Sequence, residues 1–200
     1  MIHPSTRLEY ISRLKGYGVI ATQFIPKGTV TWVQDKLDRE FTPDEFDALG
    51  SVYTELADTY TFRNQWGNHI LCWDHGKYVN HSFNSNCLST PYNFEIAIRD
   101  ILPGEELTDD YGYLNLLEPF EPMDEGHERK IVYPDDPLRM YRQWDLDLSQ
   151  AFALIPQVEQ KLAPFFSEEI QIKIHRILNG EDALDSTLEC YFDPYKATAS

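Results

Sequence analysis

No apolar run in the sequence approaches the roughly eighteen residues of a membrane span, so no transmembrane helix is expected. The start, Met1-Ile2-His3-Pro4-Ser5, has no basic segment followed by an apolar stretch, so no secretory signal is expected either. Cysteine is scarce: Cys72, Cys87 and Cys190 are far apart and odd in number. That excludes a disulfide framework as the main staple and points to a reducing interior, cytoplasmic or nuclear. Positive charge is also in short supply, with 17 Lys and Arg against 33 Asp and Glu and a net charge of −16. A phosphate backbone is therefore a poor direct partner. The acidity either draws basic polypeptides or serves solubility alone. No internal repeat or low-complexity segment is present.

What is present is enough for one globular domain with a packed extension. Of the 200 residues, 42% are hydrophobic and 14% aromatic, which suffices for a real core. The first third reads as short strands and tight turns, Val19-Ile20-Ala21 and Thr29-Val30-Thr31-Trp32-Val33 among them. Thr42-Pro43-Asp44-Glu45 announces a helix: Thr42 caps it, Pro43 fits its first turn and Glu45 completes a capping box. Phe46, Leu49, Tyr53 and Leu56 follow at helical spacing and predict one buried face. Strand character returns in Tyr60-Thr61-Phe62 and Ile70-Leu71-Cys72-Trp73. Phe94, Ile96 and Ile98 alternate with Glu95, Ala97 and Arg99, as in a half-buried strand.

After Tyr113 the character changes. Residues 114–137, with Pro119, Pro122, Pro134 and Pro137 among charges, read as an irregular connector. Residues 138–200 read as a helical extension. Phe152, Ile155 and Leu162 mark one helix, interrupted by Pro156. Ser167 caps another over 167–179, with Ile170, Ile174, Ile177 and Leu178 on one face and Gly180 past its end.

Three segments carry the chemistry: Lys15-Gly16-Tyr17-Gly18; Asn80-His81-Ser82 with Phe83 to Cys87 after it; and Gly104-Glu105-Glu106-Leu107-Thr108-Asp109-Asp110-Tyr111. Singly, each has a plain structural reading: a tight turn, a hydrogen-bonded strand end, a core aromatic. The first also lacks the third glycine and the strand-helix setting of a dinucleotide-binding fold, which disfavours a Rossmann-type methyltransferase. In this order and at this spacing, the three resemble the SET-domain family of protein-lysine methyltransferases, over roughly residues 5–113.

The resemblance implies a mostly β fold of small antiparallel sheets, in which the Asn-His-Ser and Tyr segments pack as a pseudoknot, here with a C-terminal α-helical extension. It implies S-adenosylmethionine as cofactor, with S-adenosylhomocysteine as product. Lys15, Gly16, Tyr17 and Gly18 would bind the cofactor's methionine part, largely through the backbone. Asn80 and His81 would hold its amino-acid end and adenine, and Tyr111 would be the catalytic tyrosine, also touching the cofactor. The substrate would be a lysine of a basic protein, such as a histone or ribosomal tail. A free lysine is neutral in only about one molecule in a few thousand at pH 7, so an apolar channel must favour its uncharged form.

Three departures from the family pattern stand out. Phe83, Asn84, Ser85 and Asn86 replace the usual Cys-x-Pro-Asn, and Ser85 in place of proline should loosen that turn. Asp109 stands where many members carry an aromatic that limits the number of methyls added. Residues 114–200 hold only Cys190, so the zinc-binding segment that closes the lysine channel in many members has no counterpart. Closure is then expected from Tyr113, the connector or the C-terminal helices. The helix over 167–179 is the favoured wall, and a separate dimerisation unit is its alternative. His69, Cys72, His75 and His81 are only loosely ligand-spaced, and no metal is expected. Two other functions stay open: a binding module for basic tails with little turnover, and an acidic interaction protein working through its helices.

Overall fold

The computed structural model describes residues 1–193, the side chain of Leu56 excepted. Among these residues ten short strands form three small sheets. In the first, β1 (Thr6–Ser12) pairs antiparallel with β2 (Gly16–Ala21). In the second and third, β3 (Val30–Val33) and β4 (Arg39–Phe41) begin the chain's outward excursion. The excursion continues through α1 (Pro43–Asp47), α2 (Ser51–Asp58), β5 (Thr61–Arg63) and β6 (His69–Leu71). β4, β6 and β5 make one sheet. β7 (Asn80–His81), β8 (Cys87–Ser89), β9 (Phe94–Ala97) and β10 (Glu106–Asp109) follow. The other sheets run β1-β2-β10-β7 and β3-β9-β8. Every pair is antiparallel except β7 with β10, which run parallel with Asn80 beside Thr108 and His81 beside Asp109.

The capping box at Thr42 forms as its sequence dictates. Glu45 N donates to Thr42 Oγ1 at 3.3 Å and Thr42 N to Glu45 Oε2 at 2.9 Å. The single helix with one buried face does not form. Gly50, at φ +83°, breaks it into α1 and α2, since a left-handed residue cannot continue a helical turn. Phe46 is buried against the His69 ring, stacked at 3.6 Å, but Tyr53 lies in solvent. Leu56, the last residue of that expected face, lies outside the described side chains.

The half-buried strand is also corrected. β9 is buried on both faces, because its sheet lies between two apolar clusters. Phe94 and Ile96 meet the C-terminal helices, while Ala97 faces Trp32 and Cys87. Glu95 is thereby enclosed rather than solvated.

The C-terminal region starts earlier and divides differently than its apolar spacing suggests. α3 spans Asp136–Phe152. Ile155 lies in a separate 3-10 turn that begins beside Pro156, and Leu162 stands beyond it, although all three marker residues are buried. α4 (Glu168–Leu178) is capped by Ser167, whose Oγ accepts from Ile170 N at 3.2 Å. Ile174 is buried and Ile170 and Ile177 are half-buried in the same cluster as Phe94, Trp144, Leu148 and Phe152. The extension therefore completes the core of the β region. Gln160 binds it directly, accepting from Val30 N at 2.9 Å and donating to Gly28 O at 2.8 Å. Residues 194–200 of the expected helical extension lie outside the described residues.

Candidate functional site

The turn between β1 and β2 places the first motif. Gly16 has φ +74° with open space around it, so backbone conformation alone calls for glycine there. Gly18 is required for a different reason: a Cβ there would stand 2.5 Å from Glu106 Oε1, 2.8 Å from Ile11 Cγ1 and 3.0 Å from Asn80 Nδ2. The space beside Gly18 is filled by a network. Lys15 Nζ lies 3.1 Å from Glu106 Oε2. Asn80 Nδ2 donates to Glu106 Oε1 at 2.7 Å and to Tyr17 O at 3.0 Å. Glu106 is thus the hub that joins the first two motifs, a role its place in Gly-Glu-Glu-Leu-Thr did not disclose. Gly18→Ala is expected to displace that hub and cost about 1–3 kcal/mol, the usual scale of overpacking. Urea denaturation of the variant checks it, and an unchanged midpoint would show that the network yields without cost.

The second and third motifs meet through the parallel pair. Ser82 N donates to Asp109 O at 2.9 Å, and Tyr111 N donates to His81 Nδ1 at 3.1 Å. That bond makes Nδ1 an acceptor and leaves the ring proton on Nε2. Burial first, then the nearby Arg129 and Lys15 charges, lower the His81 pKa to about 4 against the raising effect of Glu125, so the ring is neutral. Its Nε2 is buried and has no hydrogen-bond partner. A buried donor left unpaired costs free energy and marks a place for an acceptor. The Tyr111 hydroxyl donates to Val79 O at 2.9 Å, and its ring lies 5.3 Å from His81. Burial, reinforced by the Asp109, Glu106 and Glu95 carboxylates, pushes the phenol pKa up, so Tyr111 stays protonated. It can position groups by hydrogen bonding but is no phenolate base.

The expected loosening at Ser85 is offset by its neighbour. Asn86 is fully buried; its Nδ2 donates to Glu106 O at 2.7 Å and its Oδ1 accepts from Thr108 N at 2.9 Å. These side-chain bonds clamp the turn to β10 without proline.

The connector covers the site. Phe120 lies 5.7 Å from the Tyr111 ring and 5.9 Å from His81. Glu125 accepts from Ser82 Oγ at 2.7 Å and from Phe83 N at 2.8 Å. Arg129 sits 4.6 Å over the Phe83 ring, pairs with Asp110, and reaches Asp136 at 2.6 Å. The wall beside Tyr111 is this strap. α4 turns its apolar face into the core instead, which corrects the expected wall over 167–179. Glu125 and Arg129 were hidden in the sequence because a charge-rich, proline-punctuated stretch looks solvated. The loosely ligand-spaced residues make other contacts: His69 stacks on Phe46, His75 Nε2 meets Thr6 Oγ1 at 2.9 Å, and Cys72 is buried in the core.

A family model described as SET domain matches residues 16–112. The chain is also similar to a protein of Bos taurus described as histone-lysine N-methyltransferase SETMAR, 30% identical over 146 residues. That match covers 60% of this chain and 46% of the relative, so the chain spans about half the length of the relative it matches. The matched stretch opens on Gly16 and closes on Gly112, enclosing the Gly-x-Gly turn, the Asn-His pair and Tyr111. Residues 16–112 are a SET domain.

Proposed function

We propose that this chain is a protein-lysine methyltransferase that uses S-adenosylmethionine and acts on a lysine of a basic protein. The observation that carries the reading is the unpaired, buried Nε2–H of His81, beside a protonated Tyr111 and the Gly16-Tyr17-Gly18 turn. A ligand with its own acceptors and an amino-acid end fits that set. Lys15, Gly16, Tyr17 and Gly18 would hold it through backbone groups. The two hydrogen bonds of Asn80 use its NH2, which leaves the carboxamide oxygen to accept from a ligand ammonium. His81 would donate from Nε2. When bound, S-adenosylmethionine supplies a methyl group already activated on a sulfonium. Alignment and exclusion of water are then the protein's part. Tyr111 orients the amine from a fixed hydroxyl, and Phe120 and the strap shield the reacting atoms.

The net charge of −16 favours basic substrates, such as histone or ribosomal tails, over direct nucleic-acid partners. Three unpaired cysteines favour a reducing interior, cytoplasm or nucleus. Among the described residues no helix is long and apolar enough to cross a membrane. In this reading residues 1–113 form the catalytic domain, 114–135 its strap and 136–193 its structural completion. Asp109 favours the second reading, a module that binds basic tails with little turnover.

Calorimetry with S-adenosylmethionine in the presence of a chelator is expected to show binding undiminished, and loss on chelation would overturn a metal-free site. Labelled cofactor offered with core histones and a ribosomal protein extract separates enzyme from module. Cofactor binding without transfer to any of them would favour the module.

A further inference from the structure

β1 lies at one end of its sheet, with β2 on one side and, among the described residues, no strand on the other. Its seven residues make it the longest strand of the described chain. The ladder decides which of its backbone groups face outward. Thr22 N donates to Ser5 O at 2.8 Å, so those two residues are a hydrogen-bonded pair. Bonded and non-bonded pairs alternate along an antiparallel ladder. Arg7 opposite Ile20 and Glu9 opposite Gly18 therefore bond to β2, while Thr6, Leu8 and Tyr10 turn their N–H and C=O groups outward. The far side of β2 has the same phase: Ala21, opposite Thr6, donates its N–H to Glu105 O at 2.9 Å, towards β10. Among the described residues no loop or turn backbone group bonds the three outward residues.

Such an edge is a template for another strand, and proteins blunt it by shortness, proline, lysine or a bulge. The other sheet edges of this fold are blunted. β7 has two residues, and β4, β5 and β8 have three each. β3, with four, is covered by the first residues of the chain: Ile2 bridges to Trp32, and His3 N donates to Thr31 O at 2.7 Å. β1 contains neither proline nor lysine, and its bulge comes only after Tyr10. Leu8 and Tyr10, two of the outward residues, are 40% and 56% exposed.

The charges on the strand name its partner. Arg7 and Glu9 flank Leu8 on the opposite face, touch each other at 2.6 Å and are both exposed. A second β1 laid antiparallel about a two-fold axis sets Leu8 opposite the partner's Leu8 and Thr6 opposite the partner's Tyr10. Each of those pairs exchanges both backbone hydrogen bonds. Arg7 then falls opposite the partner's Glu9, and Glu9 opposite the partner's Arg7, in the non-bonded pairs where side chains stand closest. Sliding one ladder step either way brings Arg7 against the partner's Arg7, or Glu9 against the partner's Glu9. The strand is thus complementary to itself in one register and repulsive in the adjacent two.

We propose that β1 is a homodimer interface, in which two chains join edge to edge through Thr6–Tyr10 about Leu8. The contact is isologous and closes with two copies. It makes the two sheets one, continuous through the axis, and sets the Gly16–Gly18 turns of both chains on that sheet. A single strand pair is a narrow contact, so the dimer is reversible, with a Kd of about 10–100 µM.

Sedimentation velocity of the full chain tests it, and the wild type is expected to pass from monomer to dimer over about 5–500 µM. Arg7→Glu alone and Glu9→Arg alone each set like charges opposite, so each should dimerise about tenfold more weakly or worse. An equimolar mixture of the two restores opposite charges in both pairs and should recover the dimer, as should one chain carrying both changes. Leu8→Pro removes an outward N–H and leaves the ladder to β2 intact, so it should stay monomeric with an unchanged circular dichroism spectrum. A wild type that is monomeric at the highest concentration would overturn the interface. A dimer that survives Leu8→Pro or the single reversals would do the same. So would a monomer that takes a lysine-rich peptide along this edge and loses it in Leu8→Pro, because the edge would then belong to another chain.

Discussion

A chain ending after residue 117 is expected to show no cooperative unfolding transition and no cofactor binding. Trp144, Leu148, Phe152, Ile155, Leu162 and Ile174 all come from beyond that point, and all are buried with Val30, Leu88, Phe94 and Ile96. Burial of a large apolar side chain stabilises by about 1.5–3 kcal/mol. Six such losses reach the whole of a typical stability of about 5–15 kcal/mol. Polar ties go with them. Asn115, which would remain, loses its contacts to Cys190 O at 2.8 Å and Phe192 N at 2.9 Å. Circular dichroism through a urea titration, with sedimentation beside it, decides the matter. A truncated chain that melts sharply, stays monomeric and binds S-adenosylmethionine would show that the helices are an accessory after all.

The second large effect belongs to Tyr111→Phe. Methyl transfer should slow by roughly two orders of magnitude or more, the scale of removing one preorganised polar group from a reacting centre. Cofactor affinity should change far less, because the ring keeps its packing against His81 and Phe120 and the backbone N–H keeps its bond to His81. The hydroxyl's hydrogen is committed to Val79 O, which directs the oxygen lone pairs elsewhere. Stability should fall by only about 1 kcal/mol, the net worth of one hydrogen bond. Single-turnover rates on core histones, read beside calorimetry, separate chemistry from binding. Equal rates for variant and wild type would remove Tyr111 from the mechanism.

Much of this molecule was legible where a local rule suffices. The Thr42 box and the Ser167 cap are satisfied by neighbours within three residues, and both form. The order of the Gly-x-Gly, Asn-His-Ser and Tyr segments identified the SET domain because each motif is contiguous. Failures came where the outcome depends on distant chain. Glu95 looked solvent-facing because alternation cannot report that both faces of a sheet are covered. α3 was placed too late because its first turn, with Asp135, Asp136 and Pro137, resembles the connector before it. Glu125 and Arg129 gained their roles only by lying across Ser82, Phe83 and Asp110, some 20 to 40 residues away in sequence. Gly18 was read as a cofactor contact, and the structure adds that the Glu106 and Asn80 side chains need its missing Cβ.

The order of strands in the first sheet also governs the timing of synthesis. β10 lies between β2 and β7, although it is the last of the four to be made. As the chain leaves the ribosome, the β1–β2 hairpin emerges some 85 residues ahead of the strand that closes it. Throughout that interval the inner edge of β2 carries unpaired backbone groups beside buried-type side chains Val19 and Ile20. Such an edge can template pairing with another nascent chain. Slow elongation between residues 21 and 106 would prolong that exposure, and a holdase chaperone acting early should raise the yield of folded protein.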